Sequence, residues 1–286
     1  MKIRMKNIWV LVGLISLSSC LKEDDLNVDK KKEAELTSDL DIYIDENFIQ
    51  EYNVAVRYKY VDNYVDPGQN VVPPKLEIVR PMLDFVEEYW FNTYKAVPNG
   101  EAFFRRYVPA ELIFLGSPIY NNDGTVTLGT ADAGARITYT DVNSYDLADP
   151  NWVQLQLQVT YHEFAHIVHQ EFKLPANFEN ISPQGYTSSG SWFNLTEDEA
   201  LKRGFVSPYA TSSVNEDFAE IVAFYVFDED FHETYLTLED CIDAECEERN
   251  EGRSRLQEKV TSVKDHYLKV TGIDLDDLRN ELQSKL

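Results

Sequence analysis

His162-Glu163-Phe164-Ala165-His166 is the stretch on which the reading of this chain turns. On a helix, residues four apart share a face, so the two imidazoles can converge on one metal ion. Glu163 then stands beside them, where it can take a proton from a metal-activated water. With 5 His and 50 Asp or Glu among 286 residues, random placement gives about 0.015 copies of this pattern. His169 follows three residues later, so three of the five histidines lie within eight positions. The alternative is a pair of buried structural histidines.

The flanking residues predict a long helix. Asp149-Pro150 supplies an N-cap and a proline at the first helical position, and Pro175 marks the stop. Leu155, Val159, His162, His166 and His169 fall on the metal-facing side. Tyr161, Phe164, Ala165, Val168 and Phe172 point elsewhere, toward a core. Fifty residues after His166 comes Asn215-Glu216-Asp217-Phe218-Ala219-Glu220, the start of a second helix running to Phe227 with Phe218, Val222 and Tyr225 on one stripe. Glu216 and Glu220 project from the same face, where one carboxylate can bind zinc while the other accepts the free N–H of a liganding histidine. Ser213 and Glu216 also fit a capping box, which would make Glu220 an ordinary solvated acid.

A catalytic zinc usually takes three protein ligands and a water. The third candidate, besides His162 and His166, is either Glu216 or His169. Seven residues of helix separate His162 from His169, a rise of about 10.5 Å. Ligand atoms around one zinc lie within about 3.5 Å of each other. That mismatch favours Glu216 as ligand and leaves His169 a supporting hydrogen bond or a place in the cleft wall. His232 and His266 stand alone and carry no chemistry.

Upstream, Asn53 to Val61 alternates as a half-buried strand, and Val79, Leu83, Val86, Trp90 and Tyr94 recur at helical spacing around Pro81. Glu111 to Leu115 is a buried strand. Asn121-Asn122-Asp123-Gly124 is a turn, with strand-like stretches at Thr125 to Leu128 and Ala135 to Val142. Ser188-Ser189-Gly190-Ser191 has loop composition, and Arg253 to Leu286 reads as two closing helices. The fold class is therefore α+β: a mixed sheet lobe ending in the HExxH helix, then a mostly helical lobe. The acid-rich runs Asp228-Glu229-Asp230 and Glu239 to Glu251 lack the ligand order of a calcium loop and belong to the surface.

The net charge of −24 repels phosphate backbones and speaks against nucleic acid as a partner. Lys2, Arg4 and Lys6 precede an apolar core from Ile8 to Leu17, the pattern of a signal peptide over residues 1–19. Residues 20–40 are polar and poor in aromatics, a flexible tether, leaving 41–286 as the folded domain with lobes at roughly 41–174 and 175–286. Cys241 and Cys246 can close a short disulfide in an exported compartment or stand as a free pair.

Several of these features resemble known families. Leu17-Ser18-Ser19-Cys20 resembles a bacterial lipobox, which implies lipidation of Cys20, and Lys22-Glu23-Asp24-Asp25 resembles the signal that sends lipoproteins to the outer cell surface. The HExxH helix followed by Glu216 and Glu220 resembles the gluzincin branch of the zincin metallopeptidases. That resemblance implies Glu216 as third ligand to one zinc per chain, Glu163 as catalytic base and Glu220 as its supporting carboxylate. Tyr209-Ala210 ahead of this motif resembles the lethal-factor type of gluzincin, which implies that Tyr209 stabilises the oxyanion. In zincins an exposed edge strand above the metal holds an extended peptide, a role open here to Thr125 to Leu128 or Ala135 to Val142. Together the signal and site resemble the zinc-metallopeptidase lipoproteins of surface nutrient-import systems. The resemblance implies hydrolysis of peptide or protein substrates at the outer face of the outer membrane, a lipid anchor as the only membrane contact, and import proteins as neighbours. The rival reading is a catalytically silent surface protein on a zincin scaffold, binding a glycan, a peptide or an import partner.

Overall fold

The computed structural model describes residues 38–59, 65–120, 126–127, 129–132, 136–187 and 190–286. The signal peptide, Cys20, the sorting residues, the tether up to residue 37, the 121–124 turn and Ser188-Ser189 lie outside them. The chain falls into two units, residues 1–42, of which 38–42 are described and enter a helix, and Tyr43–Leu286. The second unit is α+β.

Among the described residues four strands form its main sheet: β1 (Ala55–Arg57), β2 (Glu111–Phe114), β5 (Gly129–Asp132) and β6 (Arg136–Tyr139), in the order β1-β2-β6-β5. β1, β2 and β6 run parallel, and β5 lies antiparallel on the far edge. β3 (Ile119–Tyr120) and β4 (Val126–Thr127) make a separate two-stranded ribbon. Neither stretch expected as the edge strand takes that place. β6, within Ala135 to Val142, is internal, paired on both sides, while Val126–Thr127 leaves the main sheet for the ribbon. The edges are β1 and β5, and the Gly-Thr-Ala-Asp sequence of β5 shows no apolar alternation and so carries no strand signal. β1 is also shorter than the alternating run, ending at Arg57.

The helices carry the core. α1 (Leu76–Val86) contains Pro81 and continues through a π-helical turn, Glu87–Phe91, into α2 (Asn92–Ala96). α3 (Gly100–Tyr107) follows. Trp90, Tyr94 and Phe104 surround Phe164 with ring centroids at 5.4, 5.1 and 5.7 Å. Phe164 belongs to α4 (Pro150–Phe172), so the residue between Glu163 and Ala165 pins the motif helix to the aromatic core. Its N-terminus is capped as the sequence predicts: Asp149 Oδ1 accepts from the Asn151 amide at 2.9 Å. Sheet and helix are bolted together by Tyr139 and Thr160, whose hydroxyls lie 3.0 Å apart, and by Gln156 Nε2 donating to the Thr140 carbonyl at 3.2 Å.

Beyond α4 the chain is helical: α5 (Glu197–Arg203), α6 (Val214–Phe227), α7 (Ala244–Thr271) and α8 (Leu275–Gln283). α7 starts earlier than its apolar periodicity, because Asp243 caps the Cys246 amide at 2.9 Å and charged residues continue the helix. α5 and α7 touch closely at Gly252, where an added Cβ would meet the Leu201 carbonyl oxygen at 1.8 Å. A disulfide joins Cys241 to Cys246 just before and within the first turn of α7. Among the described residues no helix is long and apolar enough to cross a membrane.

Candidate metal centre

α4 and α6 pack side by side in opposite directions, bringing His162 and His166 against Glu216 and, one turn back on α4, Gln158 against Glu220. Two caps set the phase of these helices. On α6, Ser213 Oγ accepts from the Glu216 amide at 3.2 Å, so the capping expected from the sequence exists. It does not claim the Glu216 side chain, which turns to the histidines instead.

Three donor atoms meet there. His162 Nε2 and His166 Nε2 are 3.0 Å apart, and each is 3.0 Å from Glu216 Oε2. Zinc bonds of 2.0–2.1 Å in a tetrahedral arrangement place ligand atoms about 3.4 Å apart, so a small expansion would turn this triangle into a zinc-filled one. Glu163 is buried on the same face, with an oxygen within 4.8 Å of both imidazoles. Glu216 is the better third ligand of the two carboxylates, because one of its oxygens touches both Nε2 atoms at equal distance.

Each histidine is braced from behind. His162 Nδ1 lies 2.8 Å from Glu220 Oε1, an ion-pair approach not aligned as a full hydrogen bond. Glu220 is in turn held by Ser207 Oγ, which donates to Oε2 at 2.6 Å, and by Gln158 Nε2 at 3.2 Å from Oε1. His166 Nδ1 faces His169 Nε2 at 2.8 Å. His169 thus meets the edge of the His166 ring that is turned away from Glu216. Such partners fix which nitrogen of a histidine is free to bind metal. Tyr209, at the start of the 3-10 turn Tyr209–Ser212, sets its ring 5.8 Å from that of His162. Ser207 Oγ also accepts from the Ala210 amide at 3.0 Å, tying this turn to Glu220.

The donor set suits a cation. Burial alone would lower the pKa of His162, but Glu216 and Glu220 outweigh it and push it up to about 10. The surrounding carboxylates thus favour positive charge at the His162 ring, which a divalent ion at the same nitrogen would supply. Glu216 is held far below the usual carboxylate range, because the two imidazoles overcome its burial. The donors and their charges fit zinc.

Residues 33–276 match the family described as "Putative zinc-binding metallo-peptidase". The chain belongs to that family. A crystal structure of a protein of the same description, from Bacteroides caccae ATCC 43185, is similar over 88% of this chain and 93% of that one, at 28% identity and a TM-score of 0.70. No curated protein matches significantly.

Within this zinc-binding metallo-peptidase family member, other charges at the centre are tuned by burial. Burial pushes the Glu163 carboxyl up, against the pull of His162 and His166. His169 is brought down to about 4 by burial and by His166, so its ring is neutral at neutral pH. Burial and the carboxylates of Glu216, Glu163 and Glu220 push the Tyr209 phenol up, keeping its proton available for donation. Gln158 and Ser207 were not legible as site residues. Gln158 sits four residues before His162, a helical spacing that could have drawn notice. Ser207 has no pattern around it. His232 rests against Tyr225 with ring centroids 5.6 Å apart, and His266 Nε2 lies 3.0 Å from the Lys173 carbonyl, each on elements other than α4.

Proposed function

We propose that this chain is a zinc-dependent peptidase of the zincin type and gluzincin branch, exported as an outer-membrane lipoprotein facing the exterior. The observation that carries the catalytic reading is the 3.0 Å triangle of His162 Nε2, His166 Nε2 and Glu216 Oε2 with the Glu163 carboxyl beside it. His162, His166 and Glu216 would hold one zinc ion per chain. When bound, the ion lowers the pKa of a water from 15.7 to about 7 and polarises the substrate carbonyl. Glu163 takes the proton of the attacking water and passes it to the leaving amine, a role suited to a carboxyl raised by burial. Tyr209 donates its phenolic proton in a hydrogen bond to the oxyanion of the tetrahedral intermediate. Glu220 and His169 keep the two imidazoles oriented while this happens.

Lipidation at Cys20 rests on the Leu-Ser-Ser-Cys motif after the apolar segment. The Cys241–Cys246 disulfide supports an oxidising compartment. Peptide or protein is the substrate class, and nutrient-import proteins are neighbours at the same surface.

The test is zinc content together with hydrolysis of labelled casein. Wild type should hold about one zinc per chain, Glu216→Ala should lose it, and His169→Ala should keep most of it with weaker affinity. Glu163→Gln should keep zinc and lose about 10²–10⁴ in turnover. Full zinc in Glu216→Ala would remove it as a ligand. Zinc-loaded wild type that hydrolyses no peptide in any condition would leave a silent binding protein.

A further inference from the structure

An aromatic ledge extends from the metal centre. From the His162 ring, Tyr209 is 5.8 Å away, Trp192 is 5.1 Å from Tyr209, and Phe193 is 6.0 Å from Trp192. His162 is buried, and the half-buried Trp192 stands between Tyr209, 37% exposed, and Phe193, 65% exposed, so the row leads from the interior to the surface. Isolated exposed apolar residues are common on protein surfaces, but a contiguous row leading out of a catalytic centre is not scattered surface. The ledge is held in place at both ends. The Thr187 amide donates to the Thr211 carbonyl at 2.7 Å, with the two hydroxyls 3.0 Å apart, which ties its upstream side to the turn bearing Tyr209. Trp192–Asn194 is a 3-10 turn, closed by the Leu195 amide on the Trp192 carbonyl at 3.0 Å, and Thr196 then opens α5 with a reciprocal cap to Glu199.

We infer that Trp192 and Phe193 form the specificity-determining wall of the cleft, receiving a bulky apolar side chain of a peptide next to the bond being cut. The inference rests on the peptidase reading of the same site. Three features select this occupant. The rings stand crossed, with Trp192 at 75° to Tyr209 and 77° to Phe193, so they frame a corner for a side chain instead of a flat platform for a sugar ring. The chain's net charge of −24 disfavours an acidic side chain. Trp192 and Phe193 sit on a closed 3-10 turn, so a substrate that covers them meets less of the cost of ordering that turn.

The experiment uses the full chain, zinc-loaded, carrying Glu163→Gln so that binding is measured without turnover. The probes are fluorescein-labelled peptides that differ at one position, Phe or Leu against Ala or Glu, read by polarisation. Hydrolysis by the Glu163 enzyme is followed in parallel. The intact ledge should bind the Phe or Leu peptide at least about tenfold more tightly than its Ala counterpart, within the range a hydrophobic pocket gives. Trp192→Ala with Phe193→Ala should bring that ratio to within about twofold while zinc content is kept. Phe193→Ala alone touches an exposed side chain, leaves folding intact and should still reduce the ratio about threefold. Trp192→Phe should retain most of it. A ratio near one with the intact ledge, or one unchanged by the double substitution, overturns the inference. So does ledge-dependent binding of neutral oligosaccharides in place of peptides. Ledge-dependent peptide binding without hydrolysis sinks the peptidase reading and keeps the corner, whereas hydrolysis with a ledge-independent preference sinks the corner alone.

Discussion

Removing one member of the ion pair behind the metal centre should cost more than removing both. Asp217 follows Glu216 on α6, and its Oδ2 lies 2.8 Å from Lys259 Nζ on α7, both side chains fully buried. Lys259 also donates to the Gly204 carbonyl at 2.7 Å and sits 3.5 Å over the Phe205 ring, while the Tyr186 hydroxyl donates to Asp217 Oδ2 at 2.7 Å. Burial pushes the Asp217 carboxyl up and the Lys259 ammonium down, so their mutual attraction does not cover the full cost of leaving water. Such a pair adds little net stability, yet stranding one charge costs about 3–5 kcal/mol.

Lys259→Met keeps the apolar stem against Phe205 and deletes the charge, and Asp217→Leu does the same on the other side. Each alone should destabilise by about 3–5 kcal/mol. The double variant loses the Gly204 and Tyr186 partners, about 1–3 kcal/mol each, but buries no lone charge, so it should cost no more than either single change. Urea unfolding followed by circular dichroism, in chelator so that metal binding does not contribute, measures all three against wild type. The slope with denaturant should stay constant across the set. Costs that simply add in the double variant would show that the two charges are not coupled, and the reasoning would fail.

Phe164→Ala should cost about 3–5 kcal/mol, because a fully buried ring among Trp90, Tyr94 and Phe104 is deleted; thermal unfolding of the metal-free protein checks this. Cys241→Ser with Cys246→Ser should cost about 2 kcal/mol by the loop-entropy model for so short a loop, with zinc content unchanged, since the bond joins the segment before α7 to that helix's first turn and involves no residue of α4 or α6. For Asp276, burial acts to raise the carboxyl, but Lys264 and Tyr225 hold it below its ordinary value. The stability it contributes is therefore present above about pH 3.9 and is lost as pH falls through the folded-state value. Its side chain is 47% exposed, so screening keeps that contribution below about 1 kcal/mol. Asp276→Asn should be slightly less stable than wild type at pH 7, and the difference should shrink below pH 4; a difference that grows with acid would contradict the assignment.

What the sequence reveals about this site is what local geometry encodes. The four-residue spacings of His162 with His166 and of Glu216 with Glu220, and the caps at Asp149 and Ser213, are set within one or two helical turns, and the structure has all of them. The meeting of α4 with α6 is not local, but reading the histidine pair as a zinc site requires a third ligand, so the expected chemistry points to Glu216 where periodicity cannot. Where neither local spacing nor chemistry constrains a residue, the sequence is mute. Lys259 looks like one more solvated lysine on a charged helix until α7 lays it over Asp217, 42 positions away in the chain. β5 has no alternation because its place is set by pairing with β6.

Trp192 and Phe193 show the same limit from the other side. Their neighbours Ser188, Ser189, Gly190 and Ser191 give the segment loop composition, and two aromatics after such a run have no period to place them on any face. Their relation to the site depends on Ser207, which anchors both Glu220 and the Tyr209 turn, and on Thr187, which anchors the ledge to Thr211. Those links are hydrogen bonds made by Ser207 and Thr187, residues that no helical or strand spacing marks out. The residues proposed to hold zinc would therefore be constrained to recognisable spacings by the metal's coordination, whereas the residues proposed to select a substrate need only be carried to the rim by any backbone that reaches it.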